Sequence, residues 1–364
     1  MKLDSIRPVG TGVALNGLNG NGGHEVQGVA ISLGAGHGRP ARMSEGQHPF
    51  PPAGRSEFLI KKNGEGVNLL NAATYHGISF FILCIGVLPF SVTEWAGNSL
   101  ASLWFAIDKK HRQITLDNIR QAYGNQLSDQ QHRDLARAVF KNTVGMFFEH
   151  ARFRRIHPWN YSKFLSIRGL VNLTIARARG KGVLCFSAHL GNWELVPTIG
   201  HLVDIPISIV YRKLKFPPLD RYVKERRSAT GCRMLTMHRA LDEVMASLTR
   251  GEVAGMIIDQ NTSNRSHGAF VNFFGRKACA NTGPAMLALS TDASVLPIFT
   301  FRENGKFIIE ILPHVPTVRT GDYPTDLKEN TRIYNAIIET YVKKYPEQWF
   351  WIHNRWRTKP VNKA

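Results

Sequence analysis

Beyond residue 165 the chain alternates short apolar runs with longer amphipathic stretches, and this alternation restricts the fold more than any other feature. The runs are VLCFSA (183–188), ISIVY (207–211), VAGMIID (253–259) and SVLPIFTF (294–301), separated by stretches of helical character such as Arg239–Arg250. Strands apolar at nearly every position need cover on both faces, and helical crossovers supply it. The expected fold is α/β, with a mainly parallel central sheet flanked by helices. Lys306–Leu312 alternates apolar and polar residues as an edge or hairpin strand does. A last helix is expected at about Asp326–Tyr345, with Ile333, Ile337, Tyr341 and Tyr345 on one face. The aromatic, basic run QWFWIHNRWR follows it. Its tryptophans Trp349, Trp351 and Trp356 suit either core packing or a membrane interface.

Upstream the character changes twice. Residues 1–56 are rich in Gly, Asn, Pro and Ser without a sustained period. Such a composition buries too little apolar surface to offset chain entropy, so a disordered extension is expected. Its Gly34-Ala-Gly36-His-Gly38 stretch lacks the third glycine and the preceding strand of a dinucleotide loop. Residues 57–111 are expected to form a hydrophobic, membrane-anchoring region. From Asn68 to Thr93 there is no Asp, Glu, Lys or Arg, while Lys61, Lys62, Lys109, Lys110 and Arg112 flank the segment. A transmembrane or re-entrant anchor, an interfacial helix and a buried core helix all fit; the anchor leads. Residues 112–364 are expected to form the α/β domain. They begin with a helix marked by Leu116, Ile119 and Tyr123 and a second one opened by the capping-box sequence Ser128-Asp-Gln-Gln131.

The 46 Lys+Arg against 27 Asp+Glu leave a net charge of +19, which favours an anionic partner: nucleic acid, anionic lipid or an acidic protein. The basic residues are scattered and no nucleic-acid recognition motif occurs, so nucleic acid is not expected. Cys84, Cys185, Cys232 and Cys279 form no paired motif, which fits a reduced location on the cytoplasmic side.

The residues with most chemical content are His189-Leu-Gly-Asn-Trp-Glu194. A strand ending at residue 188 places His189 at its carboxyl end, where α/β folds bind ligands. Glu194 falls at the start of the next helix, and across the Gly191-Asn192 turn the two side chains can meet. A carboxylate that fixes the tautomer of a histidine makes it a general base; a structural His–Glu pair is the plainer alternative. No nucleophile elbow of the G-x-S-x-G type occurs, so direct attack without a covalent acyl-enzyme is the economical route. No metal is expected at His189, and no nucleotide cofactor, because neither a P-loop nor a complete dinucleotide fingerprint is present.

The segment FSAHLGNWEL resembles the lipid A biosynthesis lauroyl/myristoyl acyltransferase family, within the lysophospholipid acyltransferase-like superfamily. The resemblance continues over residues 112–357 through Arg112–Asn118, Val210-Tyr-Arg212, Asp259-Gln260, Phe273-Phe-Gly275, Asn281–Met286, Val295–Pro297, Pro346–His353 and Arg355-Trp356. It implies a glycerolipid acyltransferase-like fold. It also implies transfer of an acyl chain from acyl carrier protein, or acyl-CoA, to a hydroxyl of a lipid A precursor or related polar lipid. His189 is then the base and Glu194 its orienting partner. Arg212 is expected to hold a phosphate or an oxyanion, and Asn192, Asp259, Gln260, Gly275, Thr282 and Gly283 to line the substrate site. The expected partners are acyl carrier protein, the lipid acceptor and an anionic membrane surface. The expected location is the cytoplasmic side of the cell inner membrane. Ester or thioester hydrolysis, and a basic membrane-binding protein without catalysis, are the alternatives.

Overall fold

The run Val183–Ser187 is buried at all five positions and lies at the centre of the main sheet. In the computed structural model, which describes residues 69–237, 240–262 and 268–360, this run is strand β2. The other strands of the sheet are β1 (Leu165–Arg168), β3 (Ile207–Tyr211), β4 (Arg233–Thr236), β5 (Val253–Ile257), β8 (Ser294–Glu303) and β9 (Lys306–Ile311). Their order is β1-β9-β8-β2-β5-β3-β4. The five strands from β8 to β4 run parallel, β9 folds back antiparallel to β8, and β1 pairs in parallel with β9. The expected α/β fold with a mainly parallel sheet is present. The alternating segment at 306–312 is a hairpin partner, as its pattern predicts, but not an edge: β1, whose four residues carry too short a pattern to read, lies outside it.

Alternation along β2 divides the core in two. Leu184 and Phe186 face a cluster with Leu116 and Ile119 of α3 (Lys109–Tyr123), Phe140 of α4 (Asp129–His150), Val244 of α8 (Ala240–Thr249), Leu287 of α9 (Gly283–Thr291) and Ile338 of α10 (Tyr323–Lys344). Val183 and Cys185 face a second cluster with Leu173 of α5 (Leu170–Ala178) and Ile199 of α6 (Val196–Leu202). Helix α7 (Pro217–Ser228) joins β3 to β4, and a separate hairpin of β6 (Gly268–Phe273) and β7 (Arg276–Asn281) packs against α10. The capping box forms as its sequence predicts: Gln131 N–H donates to Ser128 Oγ, and Ser128 N–H to Gln131 Oε1. Trp349, Trp351 and Trp356 are all buried, so core packing is their role.

The uncharged segment at 68–93 is not one helix. It divides at Leu88-Pro89 into α1 (Leu69–Val87) and α2 (Phe90–Ile107). Proline disfavours helical backbone in the residue before it and starts helices well, which accounts for the break. Thr93, Gly97 and Ala101, spaced by four, form the buried stripe of α2 and let it approach α4 closely. The described residues from 69 onward belong to one compact unit, and the boundary expected at 111/112 falls inside it, in the first turn of α3. The proposed 1–56 extension lies outside the described residues.

The turn after β2 is held by the closing segment. Phe350 N–H donates to His189 O, and Gly191 N–H to Gln348 O, both at 2.9 Å. Gly191 has φ +55, and a Cβ there would lie 2.4 Å from Thr300 O. Gly191→Ala is therefore expected to cost at least ~2 kcal/mol of stability, by both steric conflict and left-handed strain. Chemical denaturation of the purified variant measures it.

Candidate active site

Three predicted residues follow three adjacent parallel strands: His189 after β2, Asp259 after β5 and Arg212 after β3. The carboxyl ends of parallel strands form the ligand crevice of such sheets. Asp259 is fully buried and accepts three hydrogen bonds. His189 Nδ1 lies 2.7 Å from its Oδ1, His189 backbone N–H donates to Oδ2 at 2.9 Å, and Trp349 Nε1–H donates to Oδ2 at 2.7 Å. Burial alone raises the pKa of such a carboxyl. The neighbouring His189 charge and hydrogen bonds outweigh it and hold Asp259 well below the usual carboxylate range. An ionised Asp259 fixes the proton of His189 on Nδ1. Nε2 is left without a hydrogen bond to the described residues, on a side chain 22% exposed. The rings of Trp193 and Phe350 flank it, with centroids at 4.8 and 6.2 Å.

The carboxylate on His189 is thus Asp259, where the motif spacing leads one to expect Glu194. Glu194 instead accepts two hydrogen bonds from Arg227 of α7, Nε to Oε2 at 2.9 Å and Nη2 to Oε1 at 2.5 Å. This fork-to-carboxylate geometry is the strong form of an ion pair. Burial opposes the charge of both partners, but the pairing outweighs it. The Glu194 pKa is lowered and that of Arg227 raised. The His189 charge contributes to the lowering of Glu194, so the two carboxylates act on the same imidazole at different range.

The remaining predicted residues divide between crevice and scaffold. Arg212 is exposed and makes no ion pair or hydrogen bond with the described residues. Gln260 is exposed beside Asp259, and its carbonyl accepts from Arg355. Asn192 is fully buried, and its amide donates to Met146 O at 3.2 Å and to Glu149 Oε2 at 2.9 Å. It anchors the turn to α4. Gly275 is the exposed residue of the two-residue turn between β6 and β7, whose other residue, Phe274, is buried. Thr282 and Gly283 are buried at the start of α9, where Gly283 N–H donates to Asn281 Oδ1 at 2.9 Å. That amide is already engaged within the chain.

A small apolar cavity of about 50 Å³ lies between the sheet and the start of α6. Cys185, Ile209, Met256 and Ile298 line it, Trp193 separates it from His189, and the Glu194–Arg227 pair borders it. Four participants have no signal in the motif itself: Trp349, Arg227, and the pair Arg302–Glu149, whose 2.6 Å bond braces Asn192 through Glu149. Trp349 alone stood in a segment marked by composition, the aromatic closing run. His353 in that run is pushed down to about 4 by burial, against the opposing charge of Asp259, and is a neutral neighbour of the site.

Comparison with known proteins gives this arrangement a class: the chain is an O-acyltransferase that acts on lipids. It is 24% identical over 301 residues to the lipid A biosynthesis palmitoleoyltransferase of Escherichia coli K12, covering 80% of this chain and 93% of that one. Identity to the lipid A biosynthesis lauroyltransferase of the same organism is 26% over 298 residues, with 79% and 92% covered. The phosphatidylinositol mannoside acyltransferase of Mycolicibacterium smegmatis is 25% identical over 234 residues, 61% of this chain and 72% of that relative. The bacterial lipid A biosynthesis acyltransferase family matches residues 65–358, and the chain belongs to it.

The Glu194–Arg227 pair carries a prediction in pH. The folded-state pKa of Glu194 lies below its ordinary 4.5, so its stabilisation is complete above that value and is lost as pH falls through the lower folded pKa. Glu194→Gln is expected to be less stable than wild type at pH 7, by about 3 kcal/mol because Arg227 keeps a mostly buried, unpaired charge. The difference should shrink progressively below pH 4.5. Denaturation curves of both proteins from pH 7 to pH 3 measure it.

Proposed function

We propose that this chain transfers a fatty acyl group from acyl carrier protein, or from acyl-CoA, to a hydroxyl of a lipid A precursor or a related polar lipid. The observation that carries this reading is the His189–Asp259 bond, which leaves Nε2 as the available base beside an apolar cavity. The apolar cavity marks the side from which the hydrocarbon chain approaches, and Trp193 sets the thioester carbonyl next to the imidazole. Nε2 removes the proton of the acceptor hydroxyl as its oxygen attacks the carbonyl carbon. Collapse of the tetrahedral intermediate breaks the carbon–sulfur bond, and the imidazolium returns its proton to the departing thiolate. An ester and a free thiol result, with no covalent enzyme intermediate and no cofactor.

Asp259 is a positioning residue, holding the tautomer and stabilising the imidazolium that forms. Glu194 adds negative potential near the same ring and fixes the cavity mouth through Arg227. Exposed Arg212 meets a phosphate of donor or acceptor, a role suited to a guanidinium. The +19 charge suits both an acidic carrier protein and an anionic lipid surface, at the cytoplasmic side of the inner membrane.

The test is an acyl-transfer assay on membranes containing the full chain, with labelled acyl carrier protein or CoA thioesters and extracted polar lipids. His189→Ala is expected to lose at least ~10²-fold in turnover, and Asp259→Asn to fall by ~10²–10⁴-fold while still binding donor. Full activity in folded His189→Ala protein overturns the assignment of the base. Label recovered only as free fatty acid assigns hydrolysis in place of transfer.

A further inference from the structure

Helix α1 is the one described helix long and apolar enough to cross a membrane. Its packing is not that of a free span. Asn71, Ala72, Thr74, Tyr75, Ile78, Ser79, Ile82, Ile85 and Gly86 are partly or fully buried at helical spacing, from the first turn to the last. Near its start, Tyr75 hydroxyl donates to Glu225 of α7, and the Arg221 guanidinium lies 4.2 Å from the centre of the Tyr75 ring. Near its end, Gly86 presses on the backbone of Ala151, where a Cβ would come within 2.8 Å of the carbonyl oxygen. Arg152 then holds the corner after α1, donating to Leu88 O and Thr93 Oγ1 at 2.8 Å. Both ends of α1 are therefore fastened to the catalytic unit.

A spanning α1 would carry α7 with it. Tyr75 stands six residues into the helix, which is about 9 Å along its axis, and α7 there bears Arg221, Lys224, Glu225, Arg226 and Arg227. Several charges at that depth in hydrocarbon are expensive. The outer faces ask for lipid all the same. Leu69, Leu70, Phe80, Phe81 and Val87 of α1 are exposed, as are Phe90, Trp95, Leu103 and Ile107 of α2. Only Glu94 is charged between residues 69 and 107, and it too is exposed. The loop entering α7 alternates basic and apolar residues, Arg212-Lys213-Leu214-Lys215-Phe216, all exposed. An apolar face flanked by basic side chains matches a lipid layer with anionic headgroups.

We infer that α1 lies in the plane of the membrane, within one leaflet, and that α1, α2 and the 212–216 loop form a docking surface for anionic lipid. This deepens the membrane location proposed above and rests on it. The crevice residue Arg212 then stands at the lipid surface, so an acceptor lipid reaches the site without leaving its leaflet.

The experiment uses the full chain reconstituted into anionic vesicles with the catalytic unit outside. Cys84→Ser removes the exposed native thiol of α1, while Cys185, Cys232 and Cys279 are buried. Gly66→Cys in that background places a thiol just before α1. An impermeant maleimide is expected to label it in intact vesicles, because both ends of an in-plane helix face the same side. Labelling only after permeabilisation means that α1 crosses, and overturns the inference while leaving membrane binding intact. In flotation, Lys213→Glu/Lys215→Glu is expected to bind anionic vesicles at least ~10-fold more weakly than wild type. Unchanged binding of this variant removes the loop from the surface and overturns the three-part docking surface. Absence of flotation for the wild-type chain, as a monomer or as a self-associated species, overturns the membrane location itself.

Discussion

The site depends on one buried carboxylate. Asp259 receives the backbone and ring of His189 from the end of β2 and the indole of Trp349 from the closing segment, while standing itself at the end of β5. Three stretches of chain far apart in sequence therefore meet on two oxygen atoms. A charge at 0% exposure is tolerable only because each of its partners is a donor with fixed geometry. The same requirement explains why the closing run pairs its backbone with the 189–191 turn: the indole must arrive in register with the imidazole.

Around that carboxylate the polar groups form concentric arrangements with different duties. Glu194 and Arg227 neutralise each other at the edge of the apolar cavity, which lets a charged pair border an apolar space. On the opposite side, Glu149 ties Arg302 to Asn192, so the Gly191-Asn192 turn is braced by α4 as well as by the sheet. The buried Arg355 spans the carbonyls of Cys279 and Gln260 and the side chain of Asn335, and its charge favours the ionised form of Asp259. Rigid support of this kind holds the His189 imidazole in one orientation.

The strands and helices that carry the fold were legible because their burial is periodic over enough residues to declare itself. The parallel sheet followed from the fully apolar runs, and the place of His189 followed from the strand that precedes it. What the sequence hides is adjacency. Asp259 lies 70 residues after His189 and becomes its partner only because β5 pairs with β2. Arg227 lies 33 residues after Glu194 on a helix whose charges look like an ordinary solvated face. The five-residue spacing of His189 and Glu194 suggested a contact that each satisfies elsewhere. The division of the uncharged N-terminal window into two helices turns on the single residue Pro89, which its overall apolarity masks.

The clamp formed by Gln348, Trp349 and Phe350 also sets an order of events during synthesis. His189 and its turn leave the ribosome long before these residues exist, and contacts of such high sequence separation form late. Until then Asp259 lacks its indole donor and the 189–191 backbone lacks its pairing partner. The apolar helices α1 and α2, by contrast, emerge before His189 does. The corner built on His189 and Asp259 is therefore complete only once the aromatic closing run has folded against it.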